Sequence, residues 1–264
     1  MTLTRVVAIA GAIAVGALAA GQASAATQTF DTPVVTGPTP APGVWYTDRY
    51  APAAFTSPVS FGGDNRLLES LSVADDAANR PPVFSTSFYD TQGRKFDFGA
   101  GVKTMSIDLY VPSDWASTNQ RMAGFWGSAF DNTASLSAFP IVEFTSDGGV
   151  GRFEGWDSGT WVDMGLPTGF AYDTWNTLSI TLSPGTDSFT YRVGDKSATV
   201  DAFGSTSIGN TILEGYNKGT AYNIYWDNLS SAVPEPSTWA TMIFGLGLAG
   251  LALRRRGKVL AAAA

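Results

Sequence analysis

Alternation with a period of two runs through the middle of this chain and decides what it is able to fold into. In "TMSIDLYV" (Thr104–Val111), Met105, Ile107, Leu109 and Val111 fall on one side, and Ser106, Asp108 and Tyr110 on the other. Successive side chains of an extended strand point to opposite faces, so this spacing predicts a strand with one apolar and one polar face. "RLLESLSV" (Arg66–Val73) sets Leu67, Leu71 and Val73 against Leu68, Ser70 and Ser72, with Glu69 the one exception on the apolar side. "WNTLSITLS" (Trp175–Ser183) aligns Leu178, Ile180 and Leu182, and "AYNIYWDNLS" (Ala221–Ser230) aligns Tyr222, Ile224 and Trp226. "PIVEFTSDGGVGRFEGW" (Pro140–Trp156) reads as a hairpin turning at Asp147-Gly148-Gly149, and "SFTYRVGDKSATV" (Ser188–Val200) as another turning at Gly194-Asp195. "PVFSTSFYDTQGRKFDF" (Pro82–Phe98) reads as two strands around Asp90-Thr91-Gln92-Gly93, and "TWVDMG" (Thr160–Gly165) as a short edge strand. Neither a helical stripe nor a fixed-period repeat interrupts the pattern. Many short strands with closely spaced turns predict an all-β fold, an antiparallel β-sandwich or jelly roll.

The two ends of the chain read differently. Met1–Ala25 has a basic Arg5, an apolar run over Val6–Ala20 and the small-residue site Ala23-Ser24-Ala25. That order predicts an N-terminal signal helix cleaved after Ala25. Residues 26–44 carry "DTPVVTGPTPAPG", with four prolines and little to bury, and read as an extended, mobile linker. The sandwich is then expected over 45–232, and a separate closing segment over 233–264.

Composition narrows the chemistry. Residues 26–232 hold 11 Lys+Arg against 22 Asp+Glu, a net charge of −11. Such a surface repels phosphate backbones, so nucleic acid is not an expected partner. The chain has neither cysteine nor histidine. Stability must come from burial without disulfides, and Ser-His-Asp and Cys-His catalysis are excluded. No lysine has a serine three residues before it, so the S-x-x-K arrangement is missing as well. A hydrolase built on this chain would have to work with carboxylates.

The closing segment, "VPEPSTWATMIFGLGLAGLALRRRGKVLAAAA", contains a 15-residue apolar run, Trp239–Leu253. As a helix it is about 22 Å long, short for a bilayer core but adequate for a temporary single transmembrane helix with flanking help. Arg254, Arg255 and Arg256 are expected to stay on the cytoplasmic side, leaving the body outside. Pro234 and Pro236 keep the approach to the membrane extended. The G-x-G-x-x-G at Gly245–Gly250 lies inside this apolar run and not after a strand, which removes its dinucleotide-binding meaning. Val233-Pro234-Glu235-Pro236, the short apolar helix and the arginine cluster together resemble the PEP-CTERM sorting domain. That resemblance implies an exosortase-type processing enzyme as partner. It also implies an exported protein, anchored in the inner membrane as an intermediate and then released to the cell surface or an extracellular polysaccharide matrix.

"FWGSAF", "PIVEFTSDGGVGRFEGWD", "WNTLSITL" and "IYWDNLS" resemble concanavalin A-like lectin and laminin-G-type jelly rolls. The resemblance implies glycan binding, in some relatives with calcium, and in others glycoside hydrolysis. Relatives that hydrolyse β-glucans carry Glu-x-Asp-x-x-Glu on one strand, and this chain has no such triplet. Glu143 and Glu154 are the carboxylates expected to face each other across the Asp147–Gly149 turn, and the expectation is a protein that is not an enzyme. Sugars stack their C–H faces on aromatic rings. Trp156 and Trp161 flank the polar loop Asp157-Ser158-Gly159 and, with Asp157 and Trp126, are the candidate glycan-binding residues. No cofactor is called for: Asp227 and Asn228 are the pair nearest in character to calcium ligands, and no run fits an EF-hand loop. A passive matrix protein without a small ligand is the alternative. The mature polypeptide recovered from its host should begin at Ala26 and lack the segment beyond the Pro-Glu-Pro motif. Intact-mass spectrometry checks this, and a mature chain retaining both ends would overturn it.

Overall fold

The computed structural model describes residues 26–76, 78–84 and 90–232. The expected signal helix, the sorting motif and the transmembrane helix lie outside them. Among the described residues no helix is long and apolar enough to cross a membrane.

Two sheets face each other. One takes its strands from β1 (Ala26–Gln28), β4 (Ala54–Phe61), β5 (Asp64–Leu71), β7 (Thr104–Val111), β13 (Thr174–Ser183), β14 (Ser188–Val193), β15 (Lys196–Asp201) and β17 (Tyr222–Ala232). Its order is β15-β14-β13-β7-β17-β5-β4, with β1 also paired to β17. The other contains β2 (Val35–Gly37), β3 (Val44–Thr47), β6 (Thr91–Asp97), β8 (Arg121–Phe130), β9 (Leu136–Ala138), β10 (Ile141–Thr145), β11 (Arg152–Asp157), β12 (Thr160–Gly165) and β16 (Ser207–Tyr216). Its order is β12-β11-β10-β8-β16-β6-β3-β2, with β9 on β8. All pairings are antiparallel except β2 with β3. Consecutive strands pair at β4–β5, β10–β11–β12 and β13–β14–β15, while the chain crosses between the sheets to give the central strands β7, β16 and β17 partners distant in sequence, as in a jelly roll.

The core lies between the sheets. Met105, Ile107, Leu109 and Val111 on β7 are fully buried, as alternation predicts. They meet Phe125, Val142, Phe144, Phe153 and Leu213 from the opposite sheet. Trp45, Trp115 and Trp226 are also buried here. Each such side chain contributes roughly 1.5–3 kcal/mol by leaving water, and no disulfide is needed to supplement that sum.

Two expectations are corrected. The stretch 26–44 is not a free linker along its length. Ala26–Gln28 pairs with Leu229–Ser231 of β17, and Val35–Gly37 lies beside Val44–Tyr46. Phe30 is buried, and Ser57 Oγ donates to the Thr32 carbonyl while accepting from the Val34 N–H. Prolines forbid helix but leave the intervening extended residues free to pair at sheet edges. The second correction concerns Asp90-Thr91-Gln92-Gly93. Thr91, Gln92 and Gly93 belong to β6 and pair with Tyr216, Gly215 and Glu214. A Cβ on Gly93 would lie 2.0 Å from the Leu213 carbonyl oxygen, so this glycine marks a close strand approach and not a turn. The strand expected before it gives way to a single 3-10 turn at Pro82–Phe84, and 85–89 lie outside the described residues.

Glu69, the exception on the apolar face of β5, is fully buried in the core. Trp226 Nε1 donates to its Oε2 at 2.9 Å, while Oε1 receives no donor. Burial raises its pKa from 4.5 to about 8, against the opposing pull of the Trp226 bond and the Arg94 charge. Folding therefore takes up a proton between these values. The cost of burying the carboxylate is absent below about pH 4.5 and complete above about pH 8. Glu69→Gln keeps the acceptor for Trp226 and removes the titration. Its urea midpoint should match the parent at pH 4.5 and exceed it at pH 9, by about 2–4 kcal/mol in stability. Equal midpoints at both pH values would refute this account.

Candidate functional site

The outer face of the nine-stranded sheet departs from the polar pattern that alternation leads one to expect. Strand β8 is buried along nearly its whole length, on both faces, and so is β10. Residues pointing away from the core form a second small cluster of Trp126, Ile141 and Ile212, with Trp156 and Trp161 packed against it. Strand register explains the convergence. Ile212 pairs with Trp126, Trp126 with Ile141, and Trp156 with Trp161, so the apolar residues form one transverse row. The Trp156 and Trp161 rings lie 5.0 Å apart with their planes tilted by 55°. Their separation follows from the tight Ser158-Gly159 turn, where Ser158 adopts a positive φ of 41°. Gly155 holds this strand close to the core: a Cβ there would lie 2.4 Å from the Tyr191 ring, and the Tyr191 hydroxyl donates to the Trp156 carbonyl.

The neighbouring row carries charge. Glu214 pairs with Gly124, Gly124 with Glu143, Glu143 with Glu154, and Glu154 with Asp163. Glu214, Glu143 and Glu154 are 2%, 2% and 3% exposed, far below what a strand residue on an outer face shows. Each has a cationic partner. Arg121 holds Glu143 by two bonds, Nε to Oε1 at 2.5 Å and Nη2 to Oε2 at 2.6 Å. Arg152 Nη2 lies 3.0 Å from Glu154 Oε2. Arg49 Nη1 reaches both Glu214 Oε1 at 2.7 Å and Asp48 Oδ2 at 2.6 Å, and Lys95 Nζ meets Asp48 Oδ1 at 3.1 Å. The arginines also lie over the rings: Arg49 above Trp126 and Arg121 above Trp161, each 4.7 Å from the centroid.

Burial raises the Glu214 pKa well above its ordinary value, Arg49 opposes the rise, and the adjacent Asp48 reinforces it. Burial also acts on Asp48, but neighbouring Glu214, Arg49 and Lys95 more than offset it, and this carboxyl ends below its ordinary value. Burial, then the nearby Glu143 charge, lifts Glu154 to about 7 against the pull of Arg152. Burial works against the Arg121 charge, but Glu143 more than offsets it and the guanidinium ends above its usual range. The row therefore mixes ion-paired and proton-holding carboxyls within a few strands.

The structure brings together Trp126, Trp156 and Trp161 of the sequence-derived set. Trp156 and Trp161 are half-buried, whereas Trp126 is only 7% exposed and lies beneath Arg49, so it presents an edge and not an open ring face. Asp157, one residue out of phase with Trp156, falls on the opposite side of β11. Glu143 and Glu154 face each other as anticipated, but they are buried and ion-paired. Asp227 is ion-paired with Arg66 and accepts from the Asn228 N–H. Among the described residues no cluster of three or more acidic or other ligating groups could hold a metal. Sequence reasoning missed Arg49, Arg121 and Glu214. Strand β16 was not anticipated, although Ile212, Glu214 and Tyr216 alternate along it.

Arg121→Met should leave Glu143 buried without its counter-charge. Stability should fall by about 3 kcal/mol. Adding Glu143→Gln should recover much of the loss. Urea denaturation of the single and double variants checks this.

Comparison with known proteins treats the two parts of the chain separately. No curated protein matches the sequence. Among solved structures, the GlcNAcα1-4Gal-releasing endo-β-galactosidase from Clostridium perfringens is similar at 12% identity and a TM-score of 0.50, over 80% of this chain and 63% of that one. A sialidase is similar at 11% identity and a TM-score of 0.48, over 72% of this chain and 17% of that one. The Bacillus licheniformis β-glucanase follows at 12% identity and a TM-score of 0.44, over 79% of this chain and 97% of that one. Only minor parts of the sialidase, and under two thirds of the endo-β-galactosidase, are spanned. At such identities the likeness concerns the fold alone. Residues 232–256 match the PEP-CTERM protein-sorting motif. The chain thus joins a two-sheet β-sandwich body to a segment that matches the PEP-CTERM protein-sorting motif.

Proposed function

We propose that this is an exported protein, processed by an exosortase-type enzyme, whose sandwich binds glycan at the cell surface or in an extracellular polysaccharide matrix. The sorting motif at 232–256 supports the destination. The observation that carries the binding reading is the convergence of Trp126, Trp156 and Trp161 beside a row of polar groups on one outer sheet face. Trp156 and Trp161 supply stacking surface, while the adjacent carboxyl and guanidinium groups supply donors and acceptors at fixed positions. The ion pairs hold the long side chains in place before a ligand arrives, which lowers the ordering cost of binding.

Hydrolysis is a second reading, favoured by one observation: Glu143 is held by Arg121 through two bonds, while burial and the Glu143 charge lift its cross-strand neighbour Glu154 to about 7 even against its own partner Arg152. A proton-holding carboxyl beside an ion-paired one is the division of roles that glycoside hydrolysis requires.

The full chain should be retarded in affinity electrophoresis through gels containing polysaccharide, and Trp161→Ala should weaken retardation about five- to thirtyfold. Unretarded migration in every gel, with tryptophan fluorescence unmoved by any saccharide, would rule out the binding reading. Release of reducing sugar by the parent, abolished in Glu143→Gln, would establish the second reading instead.

A further inference from the structure

Between the two rows lies a recess over Gly124, lined by Arg121, Trp126, Glu143, Glu214 and Tyr216. Its volume is about 10 Å³, room for one hydroxyl or one water. Gly124 creates it. The register places Glu214 on one side of this residue and Glu143 on the other, and a Cβ there would lie 2.3 Å from Trp126 Nε1. The indole N–H of Trp126 therefore lies over the glycine between two carboxyl groups, yet among the described residues it has no acceptor. Glu214 Oε2, equally buried, receives no donor. An unpaired buried polar group costs about 1–3 kcal/mol. Two of them, one donor and one acceptor, at the rim of the same recess imply an occupant that is both acceptor and donor.

The surrounding charges narrow the occupant further. Arg121, Arg152, Arg49 and Lys95 are already committed to Glu143, Glu154, Glu214 and Asp48. An anionic ligand would meet these buried carboxyl groups at a large desolvation cost, and Lys218, exposed and 5.3 Å from the Tyr216 ring centroid, offers it only a solvent-screened charge.

We infer that the recess over Gly124 is a hydroxyl-recognition subsite and that the site takes a neutral saccharide, with Trp126 Nε1 donating to one ring hydroxyl and Glu214 Oε2 accepting from it. The inference rests on the glycan-binding reading and deepens it. Trp126 acts here through its N–H edge, a role distinct from the stacking surface of Trp156 and Trp161. Losing the hydrogen bond discriminates against a saccharide that lacks the hydroxyl or replaces it with a carboxylate, because the buried donor and acceptor are then left unpaired.

The test uses the full chain with indole-¹⁵N tryptophan and two probes, neutral galactan and β-glucan oligosaccharides on one side and oligo-uronates from alginate on the other. Trp126→Phe assigns the Trp126 indole signal and removes the donor while keeping an aromatic ring. The expected result is that a neutral oligosaccharide shifts the Trp126 indole N–H together with those of Trp156 and Trp161, and that Trp126→Phe binds about three- to tenfold more weakly. Uronates should not bind. Neutral binding that moves Trp156 and Trp161, leaves the Trp126 signal in place and is unchanged by Trp126→Phe would overturn the subsite, assign the recess to a permanent water and leave the glycan reading standing. Binding of the uronate alone would likewise overturn the inference but not that reading. No movement of any indole with either probe would overturn both. If Trp126→Phe destabilises the fold, Glu214→Gln provides the second variant: it retains an acceptor, so its affinity should stay within about twofold while the Trp126 indole shift on binding persists.

Discussion

Burial on both faces of β8 and β10 is the constraint from which the rest of the molecule follows. A sheet packed on one side only leaves its other face to water, where charged side chains carry little energetic weight. Here the outer face sinks below its surroundings, so every charge on it must be answered. The Arg121–Glu143, Arg152–Glu154 and Arg49–Glu214 pairs are that answer. They would be minor decorations on a flat surface. In this setting they fix side-chain positions, oppose the burial that raises Glu154 and Glu214, and place guanidinium groups over Trp126 and Trp161. The candidate site is the consequence of making a second buried layer out of polar residues.

The same tension recurs in the core with Glu69, but there it serves no surface. Trp226 donates to it, and Arg94 balances its charge from nearby. The contrast is informative. On the outer face, each buried carboxylate has a guanidinium within hydrogen-bonding reach, while in the core a proton does most of the neutralising.

Much of the sandwich was legible because alternation survives wherever one face is polar. Strands β7, β13 and β17 fall where Met105–Val111, Leu178–Leu182 and Tyr222–Trp226 say they should. Alternation fails where both faces are buried, and β16, "SIGNTILEGY", escaped notice for that reason. Glycine misled at Gly93, since close strand approach and turning leave the same mark in sequence. Proline misled at 26–44, where the three-residue stretches Ala26–Gln28 and Val35–Gly37 still pair with neighbouring strands. Of the site, the Trp156–Trp161 pair was readable because a short turn joins the two strands. The meeting of Arg49, Arg121 and Glu214 was not, because three distant segments supply them and only the jelly-roll crossings bring them together.

The pairing of Ala26–Gln28 with Leu229–Ser231 bears on how the body would carry a load applied at its C-terminal strand. The last strand before the sorting motif is clamped between β1 on one flank and β7 on the other, and its ladder to β7 extends to Ala232. A pull applied at Ala232 along the strand meets these ladders in shear, where many bonds resist at once, and not in peel, where they yield singly. A load at Ala232 is thereby carried into the middle of the sheet without first loosening its edge.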